Sequence, residues 1–305
     1  MTSFSRFFLN SSRSVLQNNS RIVFNTTRSR SLSGVCLRTN NLRASRWTSK
    51  LTYMGYLAGG LAGAYGVYSQ NVIAEVSSVE DIIVEADRLY GLNKFEDIYS
   101  LLVSSKGLKN DEILWRLARA TYEKAKAAAT DAEKKVLYRE ALDYAEEALS
   151  INENNFAVHK WMSILIDYVY GYEGTKARIS QSFNVKHHME RACQLNPTDG
   201  TSWYLLGYWC FTVANIPWYQ RKIAAVVFAT PPSSSFEEAL GHFLHAEELS
   251  PNFYSKNLFM IGKTYKMLGK KEEAKDYLER AINYPQKTRE DRESREDAME
   301  LLKGL

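Results

Sequence analysis

Trp203-Tyr204-Leu205-Leu206-Gly207-Tyr208-Trp209-Cys210, resumed after an interruption by Ala239-Leu240-Gly241-His242-Phe243-Leu244-His245-Ala246 and closed by Pro251, decides the fold. Trp203, Leu206 and Gly207 stand where a two-helix repeat of about 34 residues places an aromatic, a leucine and a glycine on its first helix. Cys210 takes the place of that helix's second aromatic. Ala239, Phe243, Ala246 and Pro251 match the second helix in residue type and spacing. The pattern has a packing cause: small residues let two antiparallel helices approach, an aromatic fills the remaining gap, and proline ends the second helix. Such a unit cannot bury its apolar face alone, so neighbours are required.

They are present on both sides. Glu85 to Tyr90 and Lys94 to Leu102 read as two short helices about Gly91, with apolar residues at helical spacing. Trp115 to Tyr122 forms a first helix and Ala141, Ala145 and Ala148 the small face of its partner. Glu123 to Arg139 between them, rich in Ala, Lys and Glu, lengthens both. A third unit opens at Phe156 and closes on Val185, Met189, Ala192 and Pro197. A fifth runs from Leu258 through Gly262, Tyr265, Ala274, Leu278 and Ala281 to Pro285. Thr288 followed by Asp291 supplies an N-cap for a final charged helix, Arg289 to Leu302, whose polar outer face suits the cap a solenoid needs. The expected fold is all-α, a tetratricopeptide-like helical-repeat solenoid over residues 79–305, with no strands.

Two segments precede it. Among residues 1–50 are eight Arg, one Lys and no acid. Together with frequent Ser and scattered apolar residues, this is the composition of a mitochondrial transit peptide; a disordered basic tail is the plainer alternative. Residues 51–74 carry no charge, and Gly55, Gly59 and Gly63 repeat every fourth position, a helix-pairing face for a membrane anchor. A flexible linker of small apolar residues is the competing account. The formal charge of +4 is therefore uneven: without its first 50 residues the chain carries about −5. An acidic body argues against nucleic acid as a partner.

Residues that could carry chemistry are few. Cys36, Cys193 and Cys210 make no framework, and the last two read as small core hydrophobes. His187 and His188 are adjacent and point about 100° apart on a helix, so they share no metal ion. His242 and His245 are three apart but have no third ligand spaced to join them. No phosphate loop, nucleophile elbow or dinucleotide fingerprint occurs. The expectation is a protein without catalysis, cofactor or metal.

One stretch breaks the repeat arithmetic. Residues 211–235 carry an insertion containing Trp218, Tyr219, Arg221, Lys222 and Phe228, and ending in Pro231-Pro232. Insertions in repeats tend to map to loops on one face, often the binding face. Those five residues are candidate contacts for a partner or for lipid, as a lid on the groove or an element at headgroup level. The alternative is a longer first helix packed into the core.

Leu114-Trp115-Arg116-Leu117-Ala118-Arg119-Ala120, His159-Lys160-Trp161, Trp218-Tyr219-Gln220-Arg221 through Phe228-Ala229-Thr230-Pro231-Pro232, and Pro251-Asn252-Phe253-Tyr254-Ser255-Lys256-Asn257-Leu258 together resemble the regulator of microtubule dynamics proteins over roughly residues 80–290. The resemblance implies a tetratricopeptide-like domain that associates with microtubules and spindles, with some members anchored at mitochondria and acting in organelle contacts. Tubulin tails are acidic and so is this body. Binding would need local basic patches: Lys176, Arg178 and Lys186, or Lys270, Lys271 and Lys275. Two functions follow as expectations. One is an interaction scaffold for tubulin or another mitochondrial protein. The other is a membrane-anchored module handling phospholipid through the inserted apolar segment.

Overall fold

The computed structural model describes residues 78–228 and 230–305. Segments 1–50 and 51–74, with Gly55, Gly59, Gly63 and Cys36, lie outside the described residues. Among the described residues thirteen α-helices and one short 3-10 turn follow in order, and no strand occurs. Five antiparallel pairs account for most of them: α1 (Val79–Gly91) with α2 (Phe95–Ser105), α3 (Asp111–Ala127) with α4 (Asp131–Ile151), α5 (Phe156–Glu173) with α7 (Ser182–Leu195), α8 (Gly200–Ala214) with α10 (Phe236–Leu249), and α11 (Ser255–Met267) with α12 (Lys271–Ile282). α13 (Arg289–Lys303) closes the array against α11 and α12. The short α6 (Thr175–Ser180) and α9 (Trp218–Val227) interrupt the third and fourth pairs.

The sequence marks its own helix ends. Asn110 accepts hydrogen bonds from the Glu112 and Ile113 amides at the start of α3, and Asp199 accepts from the Ser202 amide at the start of α8. Thr130 with Glu133, and Thr288 with Asp291, form reciprocal capping boxes on α4 and α13, worth about 1 kcal/mol each. Glu123 to Arg139 is divided between α3 and α4, with the turn at residues 128–130.

Within each pair the small residues permit the close approach. A Cβ placed on Gly207 would lie 2.8 Å from the Phe243 ring, and one on Gly262 would lie 2.8 Å from Leu278. Ala239, Phe243, Ala246, Ala274, Leu278 and Ala281 are fully buried. Between the second and third pairs an aromatic cluster fills the seam. The Tyr122 ring meets Tyr138, Trp161 and Tyr168 at 5.6, 5.4 and 5.1 Å, and the Tyr122 and Tyr168 hydroxyls are 2.9 Å apart.

The array curves in a definite sense. First helices come close along their backbones at three junctions, α1 on α3, α3 on α5 and α8 on α11, whereas second helices meet through long side chains, as where Tyr99 on α2 donates to Glu140 on α4 at 2.8 Å. The first helices therefore form the inner side of the curve and the second helices the outer side.

Each seam also carries a polar cross-link. Arg116 and Arg119 on α3 both hold Asp87 on α1, at 2.7 and 2.9 Å. Asn155, the cap of α5, donates to Asp111 at 2.8 Å. Lys160 on α5 meets Asp199, the cap of α8, at 3.1 Å. Arg280 on α12 grips Glu247 on α10, and Ser255 on α11 donates to Asp291 on α13 at 2.8 Å.

Candidate functional site: the inner helices and the inserted helix

Charged side chains concentrate on the inner helices, where core packing alone would not place them. On α3 the Arg119 guanidinium lies 3.7 Å above the Tyr90 ring and 5.0 Å from the Trp115 ring. Burial works to raise the Asp87 carboxyl, but the Arg116 hydrogen bond and the Arg119 charge outweigh it and hold the carboxyl below its ordinary value. On α11, burial holds the Lys263 ammonium below its ordinary value despite Asp297. Burial likewise raises Asp297, against the pull of Lys256 and Lys263. Lys263 rests between Phe211 and Phe259, at 5.5 and 5.6 Å. Tyr90, Arg119, Phe211, Lys256 and Phe259 are all buried, so these cation–ring contacts tie the inner helices to one another and are not open to a partner.

The insertion is a separate helix, which decides against a lengthened α8. α8 stops at Ala214, Pro217 precedes α9, and α9 packs on α6. Gln220 and Ala224 face inward and are buried; Trp218, Tyr219, Arg221 and Lys222 face outward. Phe228 is half-buried, its ring edge-on to Phe183 at 5.0 Å. Under α9 lies a cavity of about 80 Å³ lined by Val185, Trp209, Val213, Gln220, Ala224 and the Asp167–Arg178 pair, among others. That volume is well below the roughly 300–1,000 Å³ of small-molecule sites, so α9 does not roof an acyl-chain pocket here.

The two basic patches differ in kind. Arg178 is drawn inward into a two-pronged pair with Asp167, with its Nε at 2.6 Å from the carboxylate. Lys186 lies over the Trp209 ring and pairs with Glu190 at 3.4 Å. Lys176 is exposed. The structure therefore does not present those three as one cationic surface. Lys270, Lys271 and Lys275 are all exposed at the start of α12, with the Lys271 ammonium bonded to the Leu305 carbonyl at 2.8 Å.

The histidines and cysteines are placed by packing. Cys193 and Cys210 are free, buried thiols, raised by burial to about 12 and about 11. His159 and His188 face each other across the third pair, with their Nδ1 atoms 2.9 Å apart, and the His159 Nε2 meets the Glu153 carbonyl at 2.8 Å. His245 turns to Glu248 and Trp203. His242 instead gathers with Cys210 and Glu238, their donor atoms within 4.8 Å of one another, a grouping that sequence spacing hid because Cys210 is on another helix. This cluster is poorly suited to a cation. Its thiol resists deprotonation, its hydrogen-bond partners are Ser234 and Glu238, and the Lys186 charge acts on all three members.

Paired helices with buried small-residue seams, a curved array and a terminal cap define a tetratricopeptide-like repeat protein. A solved repeat protein of that class, TTC0263 of Thermus thermophilus, superposes with a TM-score of 0.51 at 14% identity, covering 73% of this chain and 99% of its own. The chain belongs to the family Regulator of microtubule dynamics protein 1-3, whose profile matches residues 82–305. It is 47% identical over 262 residues to regulator of microtubule dynamics protein 1 of Bos taurus, covering 84% of this chain and 81% of that one. It is 39% identical to regulator of microtubule dynamics protein 3 of Xenopus laevis, covering 67% and 44%. No helix among the described residues is long and apolar enough to cross a membrane.

Proposed function

We propose that the chain is a non-catalytic scaffold that regulates microtubules by holding a protein partner, tubulin or a mitochondrial protein, on its repeat array. The observation that carries this reading is the exposed lysine group at the start of α12, Lys270, Lys271 and Lys275, in a chain of the microtubule-regulator family. Lys270, Lys271 and Lys275 supply an exposed cationic edge for acidic tubulin tails on an otherwise acidic body. The basic segment 1–50 supports a mitochondrial association, with a second pool on cytoplasmic microtubules or the spindle. Of the two functions expected from sequence, the phospholipid-handling one has less support, because the cavity under α9 is too small for an acyl chain.

Co-sedimentation of the full chain with polymerised tubulin tests the scaffold reading. Binding should weaken as salt rises and fall several-fold in Lys270→Glu/Lys275→Glu. Equal sedimentation of variant and parent at every salt concentration would remove the cationic edge from the reading. Protease treatment of intact mitochondria carrying a carboxy-terminal tag tests its reach: loss of the tag keeps microtubules accessible, and protection rules out direct contact with them.

A further inference from the structure

We propose that α9 is a docking helix for an anionic membrane surface, a function separate from the holding of a protein partner. Between Asp199 and Glu237 the chain contains no acidic residue, and its only charges there are Arg221 and Lys222, both on α9 and both exposed. The same short helix holds the densest group of exposed large apolar side chains in the described chain: Trp218 at 69%, Tyr219 at 42% and Val226 at 82% exposure. Trp218, Lys222 and Val226 are spaced by four, so they form one outward stripe along the helix. Phe183, 44% exposed and in contact with Phe228, extends that patch on α7.

The stripe is held ready. Gln220 and Ala224 anchor the opposite side of α9, the Arg221 Nε donates to the Ile216 carbonyl at 3.0 Å, and the Lys222 ammonium sits 4.8 Å from the Trp218 ring. A helix of ten residues is too short to span a bilayer but can lie in its interface. There, amphipathic aromatic rings settle at headgroup level, apolar side chains enter the acyl boundary, and cations meet lipid phosphate. The charge balance selects the lipid. The body repels an anionic surface, and an orientation that leads with α9 brings a local excess of positive charge and exposed apolar area to it together. A protein partner for this stripe would gain the apolar contact, but nothing on the surface specifies its shape.

The basic segment 1–50 of the full chain would itself bind anionic vesicles, so the test must read α9 locally. A polarity-sensitive fluorophore is attached to Val226→Cys in a Cys36→Ser background; Cys193 and Cys210 are buried, with thiols raised to about 12 and about 11, and resist labelling. Vesicles of phosphatidylcholine with phosphatidylserine should blue-shift the probe and protect it from aqueous iodide. Pure phosphatidylcholine should do so far less, and a probe at exposed Val136 on α4 should remain quenchable. Adding Arg221→Gln/Lys222→Gln should abolish the protection. Vesicle binding of the chain with the residue 226 probe still fully quenched would overturn the proposal. So would protection that survives loss of both cations, or protection by tubulin polymer and not by vesicles.

Discussion

Gly207→Ala and Gly241→Ala add the same methyl group to the two helices of one pair, and the structure assigns them opposite signs. Gly241 is an exposed interior position of α10, and a Cβ there meets nothing within 4 Å. Alanine should stabilise that helix by about 0.8–1 kcal/mol. At Gly207 the new Cβ would lie 2.8 and 3.0 Å from two carbons of the Phe243 ring and 3.1 Å from the Ala239 carbonyl. Neither neighbour can retreat. Phe243 is fully buried against Tyr204, with ring centroids 5.8 Å apart, and its carbonyl receives the Asn257 side chain at 3.1 Å. Overpacking costs about 1–3 kcal/mol, which offsets the propensity gain and leaves a net loss of up to about 2 kcal/mol. At about 2–4 °C per kcal/mol for a domain of this size, thermal melts followed by circular dichroism should show Gly241→Ala a few degrees above the parent and Gly207→Ala a few degrees below it. If Gly207→Ala raises the midpoint as Gly241→Ala does, the close-packed seam is not what selects glycine there.

Two further outcomes follow from buried polar groups. Burial, with the His159 and His187 charges adding to it, pushes His188 down to about 4, whereas an unfolded histidine titrates near about 6.5. The unfolded chain therefore binds the extra proton between those values, and stability should fall by about 2–3 kcal/mol as pH drops from about 6.5 to about 4. Denaturant midpoints of the parent and of His188→Gln across that window test this, and parallel losses in both would refute it. Asp199→Ala removes both the α8 cap and the carboxylate facing Lys160, which is buried, so it should cost about 3–5 kcal/mol. Lys160→Met/Asp199→Asn keeps a capping side chain and should cost far less; equal midpoints for the single and double variants would show that the ion pair does not carry the effect.

Much of the architecture was legible because its determinants are local. Ala239, Phe243 and Ala246 recur at helical spacing on one face, and Gly207 marks the approach of the partner helix, so a pair can be read without knowing its neighbours. The candidate site was less legible. Arg178 looked like a surface cation because sequence spacing did not pair it with Asp167, which lies eleven positions away on another helix. His159 and His188 meet across 29 positions, and His242 meets Cys210 across two helices. Such partners depend on how the helices sit against each other, which periodicity along one helix does not encode. The insertion was ambiguous for a different reason: its apolar run suits a core helix as well as a surface one. What separates the two is that only Gln220 and Ala224 are fully buried within α9.

The polar cross-links at the seams also determine whether the units are interchangeable. Repeat arrays with uniform interfaces can be shuffled, lengthened or shortened because any unit fits any neighbour. Here the successive junctions use an aspartate held by two arginines, an asparagine on an aspartate, a lysine on a helix cap, an arginine on a glutamate, and a serine on an aspartate. Exchanging the third and fourth units would set Lys160 opposite a neighbour with no carboxylate in place and leave Asp199 against the wrong helix. The order of the units is thus written into the chemistry of their joints, and the array behaves as one indivisible body whose parts have lost the freedom to be rearranged.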